Sequence, residues 1–183
     1  SGIYKQKITN MAKVISEIGY DVTNRPPTIV GICEVENRKV VEDLISDEKL
    51  KNYNYGIVHY ESPDDRGIDV GLIFNKDVFK VKNSNSHDVF ITGNNSSKRR
   101  NTRDQLVVSG LLDGELIHII VNHWPSRGAD ETKRIAAAEV NNSIIDSLRN
   151  IHNDPKIITM GDFNDDPFDK SIKKVLGAKK EIK

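Results

Sequence analysis

One cysteine, Cys33, is all the thiol chemistry this chain has, so no internal disulfide can hold it together. It lies in an apolar run, which suits a buried packing residue better than a nucleophile. A charge excess is missing too: Lys and Arg total 27, Asp and Glu total 27, and the formal net charge is zero. General polyanion binders carry a basic surplus, so any attraction for phosphate must here be local. No apolar stretch approaches the roughly 20 residues of a membrane span, and no signal-peptide pattern is visible. Ser1-Gly2 reads as a processing scar, with an original N-terminus expected upstream, and the compartment stays open. There is no Gly-x-Ser-x-Gly nucleophile elbow and no P-loop. Cys and His are too sparse for a zinc cage. Internal repeats and low-complexity tracts are also lacking.

What remains is a chain of 183 residues, 37% hydrophobic and 30% charged, long enough for one domain with a substantial core. Ile8, Met11, Ala12, Ile15 and Ile18 recur at helical spacing up to Gly19. Pro26-Pro27 breaks the chain before Ile29 to Cys33, a short apolar run with the character of a buried strand. Val40, Val41, Leu44 and Ile45 predict a helix. Strands are expected over Tyr55 to Tyr60 and Asp69 to Phe74. The segment from Asn83 to Arg103 is polar, with only Val89 to Ile91 strand-like. Asp113-Gly114 marks a hairpin between Leu106–Leu112 and Glu115–Asn122. A long helix is predicted over Asp130 to Ile151, with Ile135, Ala138, Ile144, Ile145 and Leu148 buried. Lys156 to Met160 is then a strand and Pro167 to Leu176 a closing helix. This mixture suits an α+β domain, two packed sheets with helices outside them.

Residues with chemical ability fall repeatedly at strand ends. Glu34 follows the strand at Ile29, Asn122-His123 closes the strand at Leu116, and Asp162 and Asn164 follow Ile157 to Met160. A rigid sheet positions such groups while the loop leaves them accessible. An acidic residue after one strand is usually a cap or a turn; three such ends together are harder to dismiss. The set suits phosphate ester cleavage. A carboxylate such as Glu34 favours a hard cation like Mg²⁺, which takes oxygen ligands and keeps waters. His123 can move a proton or donate to a phosphoryl oxygen near neutral pH. Asp162 can orient and deprotonate water, the Asn164 amide can hold the phosphoryl group or that water, and Arg103 can offset growing negative charge.

The order of motifs resembles the endonuclease/exonuclease/phosphatase superfamily, whose deoxyribonuclease I-like members share five such segments. Ile32-Cys33-Glu34-Val35-Glu36-Asn37 resembles the strand ending in the metal-binding glutamate. Arg66-Gly67-Ile68-Asp69-Val70-Gly71-Leu72-Ile73 resembles a strand leading into the site in a bacterial branch. Thr102-Arg103-Asp104-Gln105-Leu106 is similar to the segment whose arginine contacts phosphate. Asn122-His123-Trp124-Pro125-Ser126-Arg127 resembles the histidine motif, and Gly161-Asp162-Phe163-Asn164 the Gly-Asp-x-Asn motif. The resemblance implies a four-layer α/β/β/α sandwich of two mainly antiparallel sheets. It also implies a hydrolase for phosphodiesters or phosphomonoesters, with Mg²⁺, or Mn²⁺ in its place, as cofactor.

Carried over by position, Glu34 is the metal ligand, His123 faces the phosphate, and Asp162 with Asn164 handles the water. Asn122 and Arg103 bind substrate phosphate, and Asp69 holds His123 in orientation, as a carboxylate behind an imidazole often does. Two family elements have no counterpart in residues 1–183, an asparagine on a first strand and a late Asp-His pair. The expectation is therefore one domain over 1–183, truncated at both ends, inactive alone and prone to self-association through unpaired sheet edges. A nuclease-like phosphodiesterase is the leading reading, with a phosphorylated substrate, nucleic acid among the candidates. A phosphatase or phospholipase-type diesterase is the alternative, and a silent phosphate-binding domain stands for a different class. His59, His87, His118 and His152 lack supporting motifs and read as structural. Lys98-Arg99-Arg100 reads evenly as a solvated loop or as an electrostatic guide.

Overall fold

The computed structural model describes residues 2–93, 96–100 and 102–179, with the backbone alone for 92, 93 and 96–100. Helix α1 (Gly2–Glu17) buries Ile8, Ala12 and Ile15, which are four and three residues apart and so share a face. Met11 and Ile18, expected on that face, are instead 45% and 52% exposed. They lie to one side of the stripe, beyond the sheet that α1 covers. A one-turn helix α2 (Tyr20–Thr23) follows Gly19. Strand β1 (Ile29–Val35) leads to α3 (Arg38–Ile45), whose first turn is capped by the Asn37 side chain accepting from the Val40 amide.

Strands β2 (Tyr55–His59) and β3 (Asp69–Asn75) complete a three-stranded antiparallel sheet in the order β1-β3-β2. The second sheet contains β4 (Phe79–His87), β7 (Gln105–Leu112), β8 (Glu115–His123) and β9 (Lys156–Asp162) in the order β4-β7-β8-β9. Its pairs are antiparallel except β8 with β9, which run parallel through the crossover helix α4 (Glu131–Ile151). Between them, β5 (Ile91–Gly93) and β6 (Ser96–Arg100) form a separate ribbon. Thus the polar stretch from Asn83 continues β4 and ends in a ribbon. Its polarity is that of a strand with an exposed face. The Lys98-Arg99-Arg100 side chains, the subject of the electrostatic-guide reading, lie outside the described residues.

Strand alternation builds four layers. Val70 and Leu72 of β3 face Leu106, Val108, Ile117, Ile119 and Val121 of the other sheet and form the inter-sheet core. Ile73, on the opposite face of β3, packs instead with α1 and α3 through Ile8, Val41 and Leu44. Beyond the second sheet, Val107 and Ile120 meet Ile144 of α4. The α4 face holds Ala138 and Ile144 as expected but turns toward Arg134 and Asn141, which are also buried. The closing helix expected from Pro167 shrinks to a five-residue π-helical turn, Ser171–Val175. The sandwich with helices outside is as the composition and motif order imply.

Candidate active site

The strands bring their chemically able ends to one edge of the sandwich. In the parallel β8–β9 ladder His123 is the register partner of Asp162, just as Asn122 is of Gly161. His123 Nε2 lies 3.9 Å from Asp162 Oδ2; the imidazole is 4% exposed and the carboxylate 55%. One group is thus held and the other presented. Gly161 makes this closeness possible. At φ +131° a side chain there would be strained, and its Cβ would stand 2.0 Å from the Asn122 carbonyl oxygen.

Glu34 reaches the same edge from the facing sheet. The β1–β3 register shifts between Cys33 and Val35, so Glu34 is the extra residue of a bulge, at φ +59°. A bulge re-aims a side chain, and a non-glycine residue in the left-handed region is held there at a cost. The exposed Glu34 carboxylate therefore projects where ordinary strand alternation would not send it. Just before it, the half-buried Cys33 thiol donates to the Asn122 carbonyl oxygen at 3.3 Å, linking the two sheets beneath the site. Burial pushes that thiol's pKa up, which fits packing rather than nucleophilic work.

Burial pushes the His123 pKa below its ordinary value, and the Arg103 guanidinium adds to this; Asp162 and Glu34 pull it up, and Arg66 pulls it down. The ring is thereby favoured neutral at pH 7, amid the charges of two carboxylates and two guanidinium groups. Its Nδ1 is buried and has no hydrogen-bond partner. The Asp69 carboxylate, expected to hold that ring, is bound elsewhere: Oδ2 pairs with His59 Nε2 at 3.0 Å, while Oδ1 accepts from Ser62 N at 2.8 Å and Oγ at 2.7 Å. Asp69 positions the β2–β3 loop and His59, which is structural as expected.

Asn122, expected at the substrate phosphate, is fully buried. Its Nδ2 donates to Thr159 Oγ1 at 2.8 Å, and its Oδ1 accepts from Trp124 Nε1 at 3.0 Å and Asn141 Nδ2 at 2.9 Å. Alternation explains the correction: His123 follows Val121 onto the inter-sheet face, whereas Asn122 points to α4. Arg103 is also withdrawn, at 6% exposure, with Nη1 donating to Asp64 at 3.2 Å and Nη2 to the Trp124 carbonyl at 2.6 Å. Its charge reaches the site while its fork is committed. The Trp124 carbonyl also accepts from Asn164 Nδ2 at 3.0 Å, which fixes the Gly-Asp-Phe-Asn turn. Around this turn a cavity of about 410 Å³ is lined by Arg127, Asp162, Phe163 and Asn164, among others.

The profile of the endonuclease/exonuclease/phosphatase family matches residues 1–183. The chain belongs to that family. Solved structures carry the same fold. D. rerio TDP2, in a complex with single-stranded DNA product, is 18% identical, with a TM-score of 0.60 over 92% of this chain and 58% of that one. The human Nocturnin catalytic domain with bound sulfate is 21% identical, TM-score 0.62, over 91% and 60%. A Bacteroides thetaiotaomicron mannosyl-6-phosphatase is 16% identical, TM-score 0.64, over 94% and 61%. The chain thus spans 58 to 61% of the length of these proteins. No curated protein sequence matches it significantly. The family's name joins nucleases and phosphatases, all of which act on phosphate esters.

Sequence reasoning missed three groups in this family member. Asp64, with a side chain 5% exposed, anchors Arg103 and also faces Arg66 Nε at 3.5 Å. Arg66, 57% exposed, is the accessible guanidinium among those that act on His123. Arg134 Nε donates to Asp165 at 2.6 Å, a buried pair that pins the segment after Asn164 to α4. The helical spacing of Arg134 with Ala138 and Asn141 was the available signal. Asp64 sits in a loop, where spacing carries none, and Arg66 opens a segment that resembles the family without having been given a role there. No helix is long and apolar enough to cross a membrane among the described residues.

Proposed function

We propose that this chain carries the catalytic edge of a divalent-metal-dependent phosphoesterase, a nuclease-like phosphodiesterase in the first instance. The observation that carries the reading is the in-register pair of His123 and Asp162, with the Glu34 carboxylate delivered from the opposite sheet by a bulge. Asp162 is exposed and can accept a proton from water beside the scissile phosphorus. His123 contributes a neutral imidazole, whose N–H can donate to a phosphoryl oxygen. Asn164 is the amide that orients the turn, and Arg66 with Arg103 supplies positive charge around the developing oxyanion.

Among the described residues no three His, Cys, Asp or Glu groups cluster closely enough to cage a metal. Mg²⁺, or Mn²⁺, needs no such cage, since it binds through one or two carboxylates plus waters and substrate oxygens. Glu34 would hold it. When bound, the ion supplies positive charge to the phosphoryl oxygens and lowers the pKa of coordinated water. The TDP2 complex with single-stranded DNA product supports nucleic acid as the substrate class. Residues 1–183 are proposed as one domain whose sheets accept further pairing. In the two sheets β1 and β9 are edge strands, and Ile158 on β9 is 51% exposed. Pairing of copies through those edges is the self-association expected of such strands.

Cleavage of bis-nitrophenyl phosphate with Mg²⁺, Mn²⁺ or EDTA tests the reading, followed by plasmid DNA, RNA, sphingomyelin and inositol phosphates on the longest available form of the protein. Metal-dependent cleavage that EDTA abolishes is expected. Tight inorganic phosphate binding with no cleavage of any of these substrates would make the domain a binding module instead.

A further inference from the structure

The loops that follow the in-register pair of His123 and Asp162 are clasped to each other. Arg127 comes one loop step after His123, and Asp166 comes at the same offset after Asp162. The two meet, with Arg127 Nη2 donating to Asp166 Oδ2 at 2.9 Å and to Asp169 Oδ2 at 2.5 Å. Asp166 to Asp169 is itself a β-turn. The Asp169 amide donates to the Asp166 carbonyl at 2.9 Å, and Pro167 occupies the position where its fixed φ favours the turn. The Asp169 carboxylate closes back on the Asp166 amide at 2.7 Å. Asp165, just before the turn, is fixed by Arg134 at 2.6 Å and by Ser171 Oγ at 2.5 Å.

Phe168 is the other central residue of this turn, and it is 82% exposed. Single exposed apolar side chains are ordinary on protein surfaces. This one differs in being carried on a braced turn at the mouth of the cavity that holds Asp162. Asp166 lines that cavity with Arg127 and Asn164, and Phe168 stands just outside it. The two-residue step from Asp166 spans at most about 7 Å, so the ring borders the cavity. Positive charge follows at once. Lys170, Lys173 and Lys174 are exposed, and the Lys173 amide is tied to the turn by the Asp169 carbonyl at 2.8 Å. Arg127 and Arg134 take up the carboxylates of Asp165, Asp166 and Asp169, and the three lysines add positive charge beyond them.

We propose that Phe168 is a stacking platform for an unpaired base of a single-stranded nucleic acid whose phosphate is held at the His123–Asp162 edge, with the lysines on the strand's backbone. Every base has a π-face, so such a ring tolerates any sequence but demands a strand whose bases are free. A duplex hides them. An extended strand, unlike a compact substrate, covers the distance from that edge across the cavity to the turn. A membrane is the other surface that an exposed ring among lysines can meet. One phenyl ring buries too little to hold a protein there, since even a whole acyl chain binds only marginally. The same ring suffices to align a strand that the catalytic edge already grips.

The position of the scissile phosphate rests on the phosphoesterase reading; stacking is measured apart from it, in EDTA and without turnover. Phe168→Trp places a reporter on the turn, while Trp124, the one native tryptophan, is 1% exposed and shielded from a stacked base. A single-stranded hexanucleotide should quench the new indole, and an abasic strand of the same length and charge should not. By anisotropy, Phe168→Ala should weaken binding of the base-bearing strand about 10-fold and leave the abasic strand unchanged, with Phe168→Trp keeping the affinity. The same sequence as a duplex should bind no better than the abasic strand. Lys173→Gln with Lys174→Gln should weaken both strands alike and flatten the salt dependence. Equal loss for both strands in Phe168→Ala, or no loss, would overturn the platform. So would indole emission that shifts with anionic phosphatidylserine vesicles and ignores the oligonucleotide, which would make the ring a membrane contact. A wild type that cleaves bis-nitrophenyl phosphate yet binds both strands alike loses the platform and keeps the phosphoesterase reading. Base-dependent quenching in a protein that hydrolyses nothing does the reverse.

Discussion

His123 Nε2 and Asp162 Oδ2 stand 3.9 Å apart at the ends of a parallel strand pair, one ring sealed from solvent and one carboxylate open to it. Too long for a hydrogen bond, the gap leaves both groups free to engage a phosphate or a water placed between them. Replacing His123 by Ala or Asp162 by Asn is expected to cut turnover of a generic diester at least ~100-fold, the scale of a lost general acid–base group. Circular dichroism should show the fold retained. Near-normal metal-dependent rates in either variant would remove that residue from the chemistry.

Glu34→Gly separates chemistry from strain. Glycine tolerates the positive φ of this bulge, so the variant should hold or gain stability, by about 1 kcal/mol. Losing the carboxylate should weaken activation by Mg²⁺ at least tenfold. A drop in denaturation midpoint would show that the Glu34 side chain itself supports the fold.

The two arginines are expected to part company. Arg66 is exposed, so Arg66→Ala should raise KM for a phosphodiester with the thermal midpoint unchanged. Arg103 is buried on Asp64 and the Trp124 carbonyl. Arg103→Ala takes the buried partner from Asp64 Oδ2 and should cost about 3 kcal/mol of stability, read by urea unfolding alongside the rate. If Arg103→Ala unfolds no more easily than wild type, its hydrogen bonds are not structural.

His123 also makes stability depend on pH. Its pKa is lowered in the folded state from 6.5, so the unfolded chain takes up protons first. Its contribution is therefore fully present above pH 6.5 and is lost as the pH falls through the lower, folded value. His118, also lowered by burial, acts in the same window. Unfolding free energy should decline from pH 7 toward 5, and His118→Gln with His123→Gln should flatten that decline. An unchanged slope in the double variant would assign it to other groups.

Asn122→Ala should destabilise by about 2 kcal/mol, since it strands the Trp124 indole N–H and takes one of three acceptors from Asn141 Nδ2. Differential scanning calorimetry checks this. A variant as stable as wild type would contradict the hub assignment.

Much of this was legible in the sequence because apolar alternation and helical spacing report directly on burial. The run from Ile29 to Cys33, the Asp113-Gly114 hairpin and the helix from Glu131 all follow from spacing alone. Glu34, His123 and Asp162 were singled out because each ends an apolar strand and stands in a segment resembling a family motif. What escaped lies one step beyond spacing. Neighbours in a motif face opposite sides of a strand, so Asn122 goes to the helix layer although His123 beside it goes to the site. Asp69 could not be assigned without knowing that His59 pairs with Gly71 across β2 and β3, close enough to take its carboxylate. Strand β4 was hidden because one of its faces is polar. The bulge at Glu34 has no spacing signature.

The crossover from β8 through α4 to β9 has a mechanical consequence. His123 and Asp162 are borne by one hydrogen-bonded ladder and move as a single body, whereas Glu34 rides on the other sheet. Sliding or breathing between the sheets would leave the first pair intact while carrying the Glu34 carboxylate toward or away from it. The Cys33 thiol on the Asn122 carbonyl is a pin across that slip plane. Its removal would let the Glu34 carboxylate drift while the imidazole and its paired carboxylate kept their spacing.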